Sequence, residues 1–139
     1  MITNDGILIN NVILRPNLSV EEIEQMGNKI DVLTEVKNPH IKTYGLKDIY
    51  EWNGYKFKVA IVRSDLHEPP YIKLTKMIES NSETAQDKFQ YYLNWLNDIG
   101  DKKVKIGDVA TNLTIGNIVL YLWISNMGHC HSIRIYEKI

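Results

Sequence analysis

Apolar and polar positions along the chain change period several times, and each change marks an element. Between Ser80 and Gly100 the residues Ala85, Phe89, Tyr92, Leu93, Leu96 and Ile99 recur at helical spacing. This stripe predicts the main helix. Ser80 with Glu83, or Ser82 alone, is placed to cap its start, and Gly100 to end it as a left-handed residue. Burying four or five large side chains at ~1.5–3 kcal/mol each is worth roughly 10 kcal/mol gross. A stripe that wide needs a sheet to lie on.

Strands flank it on both sides. Tyr55, Phe57, Val59 and Ile61 alternate with Lys56, Lys58 and Ala60, the mark of a strand with one wet and one buried face. Asn53-Gly54 joins it to a strand over Tyr44–Trp52, and Asn-Gly between β-rich runs is the strongest short-range hairpin signal. Tyr71–Met77 is a third strand, with Ile72, Leu74 and Lys76 on one side and Tyr71, Lys73, Thr75 and Met77 on the other.

Nearer the N-terminus, Ile7–Leu14 predicts a hairpin turning at Asn10-Asn11, and Arg15-Pro16 stops it. Ser19 and Glu22 form a capping box that opens a helix burying Ile23, Met26, Ile30 and Leu33. Gly27 inside that helix costs ~1 kcal/mol against alanine. Asn38-Pro39 breaks the chain.

After the main helix, Val104-Lys105-Ile106 offers a short strand and Val109–Ile115 has no clear period. Ile118–Ile124 is apolar on both faces, which suits a central strand or a seat for a second copy of the chain. Asn126-Met127-Gly128-His129 reads as a turn, and Ser132–Tyr136 alternates as the closing strand. Grouped strands joined by hairpins predict an α+β fold in a single domain over residues 1–139. Its sheet is mainly antiparallel, built of an N-terminal hairpin, a meander and a C-terminal hairpin, with two principal helices packed on one face.

Composition narrows the function. The chain has 139 residues, 16 basic and 17 acidic, and neither half is strongly charged. No basic field is visible, which argues against nucleic acid as the main partner. Cys130 is the single cysteine, so no internal disulfide forms. The opening residues lack a secretory signal, and the longest apolar run is too short to span a bilayer, so a cytoplasmic protein without membrane contact is expected. The sequons at Asn17 and Asn112 are then chance matches.

The densest cluster of reactive side chains is His129-Cys130-His131. In an extended strand the two imidazoles share a face and can hold a metal if His67, Asp65 or Glu68 supplies further ligands. The spacing matches no metal signature, and a turn with solvated histidines explains it equally. Cys130 has no sequence neighbour placed to activate it. Asp65-Leu66-His67-Glu68 sits in a loop, where sites live but charged residues also collect. No phosphate loop, serine-nucleophile or zinc-protease motif occurs, and no cofactor is implied.

Aromatics point elsewhere. Tyr91 and Trp95 lie four apart on the main helix, beside its core stripe, and Trp52 and Tyr55 flank the Asn-Gly turn. Exposed Tyr and Trp anchor protein interfaces, so Tyr91, Trp95 and Trp52 are candidate binding residues. The competing reading is that Trp95 covers the sheet edge as core rim.

The Ser19-x-x-Glu22 helix start after a hairpin, the Asn53-Gly54 meander, the Tyr91–Leu96 helix and the closing Ser132–Tyr136 strand together resemble small α+β proteins of bacterial toxin–immunity systems. The resemblance covers architecture over most of the chain. It implies tight, non-catalytic binding to a cognate toxin, with Glu21, Glu22 and Glu24 as partners for a basic toxin. Their position at a helix start accounts for them equally. A protein-binding module is therefore the leading expectation. The alternative is a small enzyme or metal-binding protein using His129 and His131 with His67.

Overall fold

A computed structural model describes residues 1–34, 40–64, 68–77, 84–100, 110–123 and 132–138. It is mostly antiparallel sheet with two helices. Strands β1 (Ile7–Ile9) and β2 (Val12–Leu14) form a separate hairpin. Asn10 and Asn11 both take positive φ there, as a type I′ turn requires.

Ser19 caps helix α1 (Val20–Glu24) through the expected capping box with Glu22. The helix then stops, against expectation. Gly27 takes φ +55° and opens a 3-10 turn over Gly27–Lys29, and strand β3 (Ile30–Thr34) follows. Ile23 is the buried residue of α1, whereas Ile30 and Leu33 belong to a strand. The helical spacing of four apolar residues was coincidental, and the glycine within it was the true boundary.

The main sheet adds β4 (Ile41–Leu46), β5 (Tyr50–Trp52), β6 (Tyr55–Ser64), β7 (Tyr71–Lys76), β8 (Ala110–Ile115), β9 (Ile118–Trp123) and β10 (Ile133–Glu137). Its order is β3-β4-β6-β7-β10-β9-β8, with β5 paired to β6. β4 and β5 were expected as one strand, but Lys47-Asp48-Ile49 separates them. They pair with successive stretches of β6, at residues 60–64 and 55–57. Asn53 and Gly54 make the expected tight turn with φ 48° and 85°. β10 is the last strand in sequence but pairs with β7 on one side and β9 on the other.

Helix α2 (Ala85–Ile99) starts later than the sequence suggested. Thr84 is its cap, in a capping box with Asp87, in place of Ser80 or Ser82. Gly100 ends it with φ −100°, so a left-handed residue is not used. A Cβ there would stand 3.0 Å from the Leu113 side chain, so close approach to β8 explains the glycine.

One hydrophobic cluster gathers the buried residues. Phe57, Val59, Ile61, Ile72, Leu74, Ile133, Ile135, Leu120 and Leu122 come from alternate positions of the central strands. Phe89, Tyr92, Leu93, Trp95 and Leu96 come from α2, and Ile7, Leu14 and Ile23 from the N-terminal segment. Hydrogen bonds tie that segment down: Asn117 N–H donates to Asn4 at 2.7 Å, Asn10 to Asp48 at 2.7 Å, and Arg63 to the Leu18 carbonyl. No helix among the described residues is long and apolar enough to cross a membrane. The predicted break at Asn38-Pro39, the strand at 104–106 and the turn at 126–129 lie outside the described residues.

Candidate protein-binding face

Strand alternation that sends one set of residues into the core turns the other set away from it. On that second face, cross-strand register lines up two rows. Thr43, Val62, Tyr71 and Tyr136 follow one another across β4, β6, β7 and β10, and Val119 continues the row on β9. The adjacent row runs Gly45, Ala60, Lys73, Arg134, Tyr121 and Asn112.

Three tyrosines and an arginine cluster at one end. Tyr136 lies 5.2 Å from Tyr71 and 5.6 Å from Tyr121, ring centre to ring centre. The Arg134 guanidinium stands 4.5 Å over the Tyr71 ring, and its Nη1 donates to the Tyr136 hydroxyl at 3.3 Å. Tyr121 keeps 39% of its surface exposed, a large value for an aromatic. Beside it opens a cavity of about 770 Å³ whose wall includes Pro69, Pro70, Val119, Tyr121 and Tyr136. Tyrosine and arginine over an apolar hollow are the residue types that anchor protein interfaces.

At the other end the floor falls away. Gly45 pairs with Ala60, and a second cavity of about 360 Å³ opens over them, edged by Lys47, Lys58 and Lys73.

The residues singled out from the sequence fall in different places. Trp95 is fully buried, edge-on to Phe57 and Tyr50. It is a core residue, which corrects the expectation of a surface anchor. The α2 stripe is wider than its spacing suggested, because Tyr50 and Phe57 of the β5–β6 hairpin both pack against Trp95. Tyr91 is half-buried at that rim. Its hydroxyl accepts from the Lys56 N–H at 2.8 Å, its ring meets Tyr55 at 5.3 Å, and Lys76 Nζ lies 4.6 Å over it. Tyr91 thus pins α2 to the sheet. Trp52 is half-buried opposite Tyr55.

Glu21, Glu22 and Glu24 are exposed on α1. The Ser19 N–H and hydroxyl hold the Glu22 carboxyl below its ordinary range, with Arg15 3.1 Å away helping. His67, His129, His131, Cys130 and Asp65 lie outside the described residues. Among the described residues, no three His, Cys, Asp or Glu side chains converge as metal ligands.

Sequence reasoning passed over Tyr71, Tyr121, Tyr136, Arg134 and Lys73 as a group. The signal was present as alternation within each strand. Joining them required the pairing of β10 between β7 and β9, which no local pattern carries. Comparison with protein-family models, with curated proteins and with solved structures finds no match to this chain.

Proposed function

We propose that this chain is a non-catalytic protein-binding module, of the kind that neutralises a toxin in bacterial toxin–immunity systems, and that it docks its partner on the tyrosine-bearing face of its sheet. In this reading both helices and the N-terminal hairpin cover the opposite face, and the meander and C-terminal strands present the docking surface. The observation that carries it is the Tyr71–Tyr136–Tyr121 cluster with Arg134 over it, beside an apolar cavity. Rigid aromatic rings held by one another lose little conformational entropy when a partner covers them. The glutamates of α1 then serve their helix start.

The test is affinity capture with the wild-type chain as bait, followed by titration of the purified captured protein. Tyr121→Ala is expected to weaken that complex about thirtyfold, the scale of an interface hot spot, with the melting temperature unchanged. The double variant Glu21→Ala/Glu24→Ala is expected to bind as wild type. Full affinity in Tyr121→Ala, or loss in the glutamate variant alone, overturns the assignment of the face.

A further inference from the structure

The Tyr136 hydroxyl accepts from Arg134 Nη1 at 3.3 Å, so its own hydrogen is left for another acceptor. None stands within reach among the described residues, and the same holds for the hydroxyl of Tyr121. Both tyrosines belong to the wall of the 770 Å³ cavity, with Val119, Pro69 and Pro70. Their rings are inclined by 78° with centres 5.6 Å apart, so they make a corner and not a flat platform. The prolines bring apolar rings to the wall and no backbone N–H. One acid and one base, Glu137 and Lys138, complete it, so charge selects neither an anion nor a cation. Covering this hollow with a purely apolar surface would strand the hydroxyl hydrogens, which is costly. An occupant that fits must bring apolar bulk and hydrogen-bond acceptors together.

We infer that the hollow receives a neutral, proline-rich segment of the protein partner in the polyproline II conformation. The inference rests on the protein-binding reading above and names the chemistry of the segment that docks. A polyproline II segment makes no internal hydrogen bonds, so its carbonyls face outward and accept. Its prolines carry no N–H that would need an acceptor in return. Its rings return to one side every third residue, about 9 Å apart. The row Tyr71, Tyr136 and Tyr121, with centres 5.2 and 5.6 Å apart, offers ring-lined seats over a comparable length. An amphipathic helix spends its carbonyls on its own turns and leaves the hydroxyls unanswered. An added β-strand needs a sheet edge, and here β10 is paired to β7 and β9, and β9 to β10 and β8. A polyproline II segment is also ordered before it binds, so docking it costs little entropy.

The full chain is titrated with a capped decaproline peptide, a capped glycine–serine decamer and a capped leucine–lysine amphipathic helix, while backbone amide signals are followed by NMR. Decaproline is expected to shift the amides of Val119, Tyr121 and Tyr136 to saturation, and the glycine–serine decamer to shift none of them. Tyr121→Ala is expected to weaken decaproline at least about tenfold. Tyr136→Phe keeps the ring and removes the donor, and is expected to weaken it about fivefold. Both variants are expected to melt close to wild type. Raising salt from about 50 to about 300 mM is expected to change the affinity by less than about twofold, because the segment is neutral. Decaproline that shifts nothing, or shifts residues away from the hollow, overturns the inference. So does a helical peptide that occupies these amides more tightly, or full decaproline affinity in Tyr136→Phe. If the captured partner is sensitive to Tyr121→Ala but decaproline neither binds nor displaces it, the polyproline assignment alone fails and the docking face stands. If the partner ignores Tyr121→Ala while decaproline binds as expected, the face assignment fails and the polyproline site stands.

Discussion

The indole of Trp95 meets the ring of Phe57 edge-on, centroids 5.0 Å apart and planes inclined by 62°. This contact joins α2 to the start of β6 within the core, and Tyr50 closes a triangle of rings, 6.3 Å from Trp95 and 6.2 Å from Phe57. Trp95→Ala is expected to cost about 3–5 kcal/mol, the usual penalty for emptying a large aromatic site. Trp95→Phe is expected to cost well under half of that, since it also removes a buried indole N–H that has no hydrogen-bond partner among the described residues. Urea unfolding of both variants decides it, and an unchanged midpoint for Trp95→Ala would return the ring to the surface.

Tyr50 has the same difficulty in a simpler form. Its hydroxyl is buried and has no hydrogen-bond partner among the described residues. Deleting an unsatisfied polar atom recovers part of a desolvation cost of about 1–3 kcal/mol. Tyr50→Phe is therefore expected to leave stability unchanged or raise it by about 1 kcal/mol. A clear loss in urea unfolding would show that the hydroxyl is satisfied in solution.

Alkaline pH tests Tyr50 and Tyr55 together. Burial pushes the Tyr50 phenol up to about 12, from an ordinary value of 10.0. The Tyr55 phenol donates to the Asp98 carboxylate at 2.7 Å, and that bond, with burial and the carboxylate charge, raises it to about 12 as well. Both groups are neutral acids with folded values above their unfolded ones. Their contribution is complete below pH 10 and is lost as pH rises towards 12. Stability measured across that window is expected to fall in wild type, and to fall less in Tyr50→Phe and in Tyr55→Phe. Parallel curves for all three proteins would contradict the assignment. At neutral pH Tyr55→Phe is expected to cost about 1 kcal/mol or less, because the bond is solvent-exposed.

What could be seen from the residues alone was local. Asn10-Asn11 and Asn53-Gly54 fix their turns by demanding positive φ, and Ser19 with Glu22 fixes a helix start by satisfying free N–H groups. Each signal acts within a few residues. The end of α1 was misjudged because apolar spacing suggested one helix while Gly27, at φ +55°, began the turn into β3. Trp95 was misjudged because angular position on a helix does not show that Tyr50 and Phe57, from distant parts of the chain, pack against its ring. The docking face was invisible for a third reason: Lys73, Arg134 and Tyr121 become neighbours only through the long-range placement of β10.

At acid pH the two capping boxes contribute to the response. The N–H and hydroxyl of Thr84 hold Asp87 below its ordinary range, and those of Ser19 do the same for Glu22. A depressed carboxyl contributes stability that is present above its unfolded value and lost as pH falls through the folded one. The loss is thus expected below about pH 4.5, near the ordinary carboxyl values. Thr84→Ala is expected to lower the melting temperature at neutral pH by about 3–5 °C, and the deficit is expected to shrink as pH falls and Asp87 protonates. A deficit that stays constant down to acid pH would mean that the Thr84–Asp87 pair is not closed in solution.

Gly6 and Gly54 separate two reasons for a glycine. A Cβ at Gly6 would land on the carbonyl oxygen of Leu14, which is backbone and cannot swing aside. Ile7 and Leu14 are cross-strand partners, both fully buried, so making room means opening the β1–β2 hairpin and lifting it from the core. Gly6→Ala is expected to cost about 3 kcal/mol or more, the upper range for overpacking a tight site. At Gly54, φ is +85° but nothing lies within 4 Å of an added Cβ. Gly54→Ala is expected to cost only the backbone strain, about 1–2 kcal/mol. Unfolding by urea ranks them. The larger loss at Gly6 would be accompanied by faster amide exchange across Ile7–Leu14, whereas Gly54→Ala would leave that hairpin protected. Equal losses, or a hairpin that stays protected in Gly6→Ala, would mean that the N-terminal hairpin is not clamped against Gly6 as described.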